Sequence, residues 1–249
     1  MKRAYLAMVA SLVVLWVFVT AVLKVQTFLV PPPDLVLKAL WDDRQLLLDN
    51  TYKTLSVGMV GYVIANVLGI VLAVSFYYVH WLEAFMNPWL VFITRIPFLV
   101  FSSIFVVMFT EMTAPKLIIV VLVTIFTIIA NVSEGLKSAE PVLLDRMRVL
   151  NATRWQTFTN ILWPAAMPYF IASQLIAFTS MVIAVIIAEY QYANDGLGFL
   201  LLRAQQQYRM DKLYAVALLV STISVGIYIG IKSYQGYVAR KMRMTIHAN

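Results

Sequence analysis

The sequence predicts an all-α membrane protein, one domain over residues 1–249 with six transmembrane helices, and three observations point there. Of its residues 62% are hydrophobic and only 12% charged, with a mean hydropathy of +0.83, whereas soluble domains carry roughly 25% charged residues. The apolar residues gather into six blocks, most near the roughly 20 residues that cross a hydrocarbon core as a helix. Those blocks lack the alternation over about ten positions that a transmembrane β-strand shows.

The first block, Ala4–Leu23, follows Lys2 and Arg3 and imitates a signal peptide, with Val19 and Ala21 placed like a cleavage site. Its apolar run exceeds the roughly 7–15 residues of a signal core, so it is read as an uncleaved helix. The outer loop from Lys24 to Lys53 holds Pro31-Pro32-Pro33, a stiff extended run. Asp34 is placed to cap a short interfacial helix reaching Leu48. Leu55–Val79 is the second span, and His80–Asn87 reads as an inner loop without Lys or Arg. Trp89–Thr110 is the third span and includes Arg95. Leu117–Val132, the fourth, covers only about 24 Å at 1.5 Å per residue, so it must extend at an end or sit in a thinned bilayer. Pro164–Ala188 and Leu213–Ile231 are the uncharged fifth and sixth.

With six spans and Lys2 and Arg3 inside, both termini face the cytoplasm. Arg146, Arg148 and Arg154 fall on the same side, as do Arg240, Lys241 and Arg243, which suits the positive-inside rule. The net charge of +7 is thus a matter of topology. The bases flank apolar spans instead of forming a patch with interleaved aromatics, so no nucleic-acid partner is expected. The chain has no cysteine, which removes disulfides, thiolate metal sites and thiol nucleophiles together. His80 and His247 lie outside the spans, and no cluster has metal-ligand spacing. Neither a metal nor a cofactor is expected.

Residues 138–164 are the one extended amphipathic, charged stretch between the apolar blocks, and they read as two short helices joined by a turn. Pro141 suits a first helical turn. Leu143, Met147 and Leu150 recur at helical spacing, with Asp145, Arg146 and Arg148 mostly between them. Asn151 suits the left-handed residue that closes a helix, and Thr153 with Gln156 makes a capping-box pair for the next. Such an elbow on a cytoplasmic loop serves a soluble partner.

From Asp145 to Pro164 the chain resembles the cytoplasmic loop signature of binding-protein-dependent ABC importer permeases. That signature reads Glu-Ala-Ala, three residues, Gly, nine residues, Ile, one residue, Leu-Pro. In register stand Asp145-Arg146-Met147, Asn151, Ile161, Trp163 and Pro164. Asn replaces Gly reasonably, because it tolerates positive φ; Arg146-Met147 and Trp163 depart from the pattern. Phe28-Leu29-Val30-Pro31, Leu35-Val36, Arg95-Ile96-Pro97, Asn151 through Gln156, Pro164 through Pro168, Ala188-Glu189 and Gly196-Leu197-Gly198 follow in the order seen in permeases of the nitrate, sulfonate and taurine type. That family has relatives for thiamine-precursor pyrimidines.

The resemblance implies a type I importer (MetI-like) permease fold in the bacterial inner membrane, a homodimer, two cytoplasmic ABC ATPases and an extracytoplasmic solute-binding protein. It places Leu143, Leu144, Asp145, Arg146, Met147, Arg148, Asn151, Ile161 and Pro164 in ATPase coupling, with Leu144 and Met147 as apolar anchors. The solute would be small, and anionic or heteroaromatic. No Gly-x-x-x-x-Gly-Lys-Ser/Thr loop is present to cradle phosphates, since Gly230-Ile231-Lys232-Ser233 has the wrong spacing at the end of a span. The chain is therefore expected not to be an enzyme. Two alternatives stay open: an ion-coupled secondary carrier, which would want acidic residues and broken helices at the midplane, and a structural subunit that organises partners.

Arg95, Thr127, Gln174 and Glu189 are the candidates for the translocation path. Each also has a plain reading. Arg95 can snorkel to the headgroups, and Glu189 can be a carboxylate at a helix end beside water. Asn66, Thr124, Thr127, Asn131, Gln174, Thr179 and Ser180 can be interhelical glue. Gly196 and Gly198 suit a tight turn, and Gly226 with Gly230 forms a small-residue face for close helix packing.

Overall fold

The computed structural model describes residues 11, 14–22, 26–97, 100, 103–105, 108–109, 111, 113–192 and 194–246, and all regular structure among them is helical. Residues 14–21 are helical; the remainder of the first block lies largely outside the described residues. There follow α1 (Pro33–Asp42), α2 (Arg44–Tyr78), α3 (His80–Arg95), α4 (Thr113–Lys137), α5 (Pro141–Val149) and α6 (Arg154–Thr157). A π turn (Phe158–Leu162) leads into α7 (Trp163–Tyr192), and α8 (Leu197–Gln206) and α9 (Met210–Ile246) complete the order. Among the described residues four stretches are long and apolar enough to cross a membrane: 44–78, 113–137, 154–191 and 210–236.

The chain divides into two compact units. The first comprises residues 1–54 and 189–223. Its core joins Leu47, Leu197, Leu200 and Val216, with Val36, Ala39 and Ala215 in a neighbouring cluster. Trp16 donates its indole N–H to the Pro31 carbonyl at 3.1 Å and stacks on Tyr214. Asp34 does not cap α1. Pro32 is the cap residue, and Asp34 sits in the first turn, where its charge still meets the positive helix end. The helix also stops at Asp42, and Leu48 belongs to α2.

The second unit comprises residues 55–188 and 224–249. Here α2 carries Gly61, Ala65, Gly69 and Ala73 at four-residue spacing, a stripe that lets another backbone approach closely. A Cβ at Gly61 would lie 2.6 Å from Val120 Cγ1, and one at Gly69 would lie 2.8 Å from Ile128 Cγ2, so α4 presses on this stripe. Ala65, Ala73, Ile128 and Val132 share one buried cluster. A Cβ at Gly226 or Gly230 on α9 would meet nothing within 4 Å among the described residues, whereas one at Gly135 on α4 would lie 2.8 Å from Ala166 Cα, so the close packing falls on α2 and α4 and not on the α9 pair.

Two expected spans change. The fourth gains residues at both ends to become the 25-residue α4, which removes its apparent shortfall. The third is not one helix from Trp89 to Thr110. The expected inner loop is instead the start of α3, which ends at Arg95, and Ile96 is extended (ψ 127°). Pro97 causes this, because its ring disfavours a helical residue before it.

Candidate functional site

Three assemblies of residues bear on function. The first is the elbow. Pro141 opens α5 as its first residue. The helix closes with Asn151 at φ 52°, its N–H bonded to the Arg148 carbonyl at 3.0 Å, while the Ala152 N–H reaches the Met147 carbonyl at 2.9 Å. This is a Schellman closure. Thr153 and Gln156 form the full capping box of α6, at 3.2 and 2.8 Å. Asp145 and Arg148 pair on the exposed face at 2.8 Å, and Arg146 is also exposed.

The apolar groups expected as anchors are not the most exposed ones of the elbow. Leu144 packs inward on the cluster of Leu136, Ala139 and Leu162, as does Ile161, and Leu143 and Met147 are half-buried. The outward apolar groups are Val142, Val149 (82% exposed), Leu150 (74%) and Trp155 (70%). Helical spacing alone could not tell the inward stripe from the outward one, because the partner of the inward stripe is distant in sequence.

The second assembly surrounds the start of α8. A helix begins with N–H groups that have no partner of their own, and here three in succession are met by side chains. The Gly196 N–H donates to Asn50 Oδ1 at 2.7 Å, the Leu197 N–H to Thr54 Oγ1 at 2.8 Å and the Gly198 N–H to Glu189 Oε2 at 3.1 Å. Thr54 in turn donates its hydroxyl to Glu189. Glu189 is therefore wholly buried, at 0% exposure, and not a carboxylate beside water. Gly196 has φ +96°, and a Cβ there would lie 2.2 Å from Glu189 Cδ. Gly198 is no turn residue; it lies in the first turn of α8.

The third is a cavity of about 860 Å³ in the second unit, bounded by α2, α7 and α9. Its walls include Tyr62, Trp163, Met167, Phe170, Phe178 and Tyr234, with Pro164 and Gln174. The Tyr62 hydroxyl donates to the Gln174 side-chain carbonyl, and Gln235 ties α9 to α7 through the Ile171 carbonyl at 2.8 Å. Of the four path candidates Gln174 is the one that lines this cavity. Arg95 ends α3 with an exposed side chain, and Thr127 is half-buried on α4. Asn66, Asn131 and Thr179 bond the carbonyl four residues back on their own helices, so they are not the interhelical glue expected of them.

Long apolar helices, an exposed elbow and an open cavity fit a membrane-embedded transport subunit. The chain belongs to the family described as binding-protein-dependent transport system inner membrane component, which matches residues 65–244. It is an ABC transporter permease and not an enzyme. It is 28% identical over 240 residues to the formylaminopyrimidine transport permease protein ThiX of Halalkalibacterium halodurans, covering 94% of this chain and 96% of that one. It is 25% identical over 226 residues to a "Probable ABC transporter permease protein" of Haemophilus influenzae, with 91% and 92% covered. Its fold is shared with the MetNI methionine ABC transporter in inward-facing conformations, at a TM-score of 0.64 and 17% identity, over 80% of this chain and 96% of that one.

Proposed function

We propose that the chain pairs with a second copy of itself, receives solute from an extracytoplasmic binding protein, and passes it inward by alternating access driven by two cytoplasmic ATPases. Family membership supports an importer permease. The elbow is the observation that carries the division of labour: a capped two-helix turn is seated on its own unit through Leu144 and Ile161 and presents Val149, Leu150 and Trp155 to the outside. Apolar anchors ringed by Asp145, Arg146 and Arg148 suit a groove on a soluble protein. In this reading both termini are cytoplasmic and the elbow lies on the same side.

The test is copurification of the cognate ATPase with the full permease, read together with solute-stimulated ATP hydrolysis in liposomes. The double variant V149D/L150D should insert normally and lose both, because the contact would bury unpaired charges at a cost of several kcal/mol. Retention of both by the folded variant would place the ATPase contact elsewhere. A cysteine introduced at Gln206 should label from outside and one at Thr245 should not.

A further inference from the structure

We propose that the cavity between α2, α7 and α9 binds a neutral, flat heteroaromatic solute carrying an N–H donor, and that it does not bind a small anion. This rests on the importer reading and deepens it. At about 860 Å³ the space falls within the roughly 300–1,000 Å³ of small-molecule sites.

Its chemistry is selective in three respects. First, the walls offer ring surfaces. Trp163 and Phe170 stand 5.7 Å apart between centroids, and Tyr62 meets Phe178 edge-on at 5.1 Å. Flat π systems bind such walls by offset or edge contacts. Second, no Asp, Glu, Lys, Arg or His lines the cavity among the described residues. An anion entering it would lose its water and gain no cation, which is costly.

Third, the polar groups are oriented. The Gln174 carbonyl is taken by the Tyr62 hydroxyl, and the Gln174 amide nitrogen donates to the Phe170 carbonyl at 3.2 Å and to Ser173 Oγ at 3.3 Å. Having donated its one proton, the Tyr62 oxygen retains acceptor lone pairs. The arrangement therefore offers an acceptor amid aromatic walls, which suits an exocyclic amine or a ring N–H. A nitrate or sulfonate brings only acceptors.

The experiment uses the permease–ATPase complex in lipid nanodiscs at neutral pH. Tryptophan fluorescence is titrated with 4-aminopyrimidine and adenine, and in parallel with nitrate and methanesulfonate. The expected result is saturable quenching by one or both heterocycles, absent from Trp163→Phe and weakened about tenfold in Tyr62→Phe, in line with one lost hydrogen bond. Neither anion should respond. Saturable binding of either anion at this site overturns the proposal. So does heterocycle quenching that is unsaturable or equal in Tyr62→Phe, the behaviour of a groove filled by lipid chains, and so does no quenching by either heterocycle. Failure of the importer reading shows separately, as a folded permease that carries no ATPase through purification.

Discussion

Thr54 and Glu189 lie 135 residues apart in the chain and meet at 2.8 Å, hydroxyl to carboxylate, with both side chains buried. Thr54 also accepts the Leu197 N–H, and Glu189 the Gly198 N–H. The two residues thus hold the start of α8 from α2 and α7 at once. Glu189→Ala should lower the stability of the detergent-solubilised permease markedly, since each buried polar group left without a partner costs about 1–3 kcal/mol. Glu189→Gln keeps a carbonyl acceptor and should lose less. A thermal melt of both variants checks the order; equal melting temperatures for Glu189→Ala and wild type would remove the clamp.

Gly196→Ala should be as damaging as Glu189→Ala. The backbone there sits at φ +96°, and the new methyl would fall 2.2 Å from Glu189 Cδ, so both conformation and space oppose it. The double variant G196A/E189A relieves the clash and should melt above the sum of the two losses. Simple additivity would show that the two sites are uncoupled.

Gly69→Leu should prevent folding or assembly of the second unit, because the Ile128 side chain already stands 2.8 Å from the Cβ position. A Cβ at Gly226 meets nothing within 4 Å among the described residues, so Gly226→Leu should leave monomer stability near wild type. If the second copy of the proposed pair packs on that face, size-exclusion of Gly226→Leu should show loss of dimer.

Asn151→Gly should be tolerated and Asn151→Val should not. At φ 52° glycine takes the turn more easily than asparagine, while a β-branched side chain is a steric outlier there. Transport-coupled ATP hydrolysis of the two variants, measured at equal membrane insertion, gives the comparison. Full coupling in Asn151→Val would mean that the turn geometry is dispensable.

Legibility in the sequence followed the range of the interactions. Pro141, Asn151, Thr153 and Gln156 act on neighbours within a few residues, so the elbow could be read directly. The break after Arg95 was also local, written in Ile96-Pro97, yet the apolar block on either side of it was read as one span. The clamp was not readable: Glu189 looks like an ordinary helix-end carboxylate, and nothing local marks Asn50 and Thr54, until α8 returns more than 140 residues after them. The stripe of Gly61, Ala65, Gly69 and Ala73 was missed, although its four-residue spacing is present in the sequence. What decided between it and Gly226 with Gly230 was the identity of the opposing helix, and that is tertiary information. The elbow's inward and outward apolar faces were ambiguous for the same reason.

The π turn Phe158–Leu162 lies between the elbow and the cavity, and an aromatic series runs through it: Trp155 to Phe158 at 5.7 Å, Phe158 to Trp163 at 6.0 Å and Trp163 to Phe170 at 5.7 Å. A π turn stores a surplus residue within an otherwise continuous helix, and each residue of an α-helix advances the winding by about 100°. Passing that surplus along the helix would turn the residues it crosses by about that angle, with the chain direction kept. In the proposed coupling, the connection from the exposed Trp155 to the cavity wall would act as a crank more than a rod. A push by a partner on the elbow would then have a geometric means of emerging as a twist at Trp163.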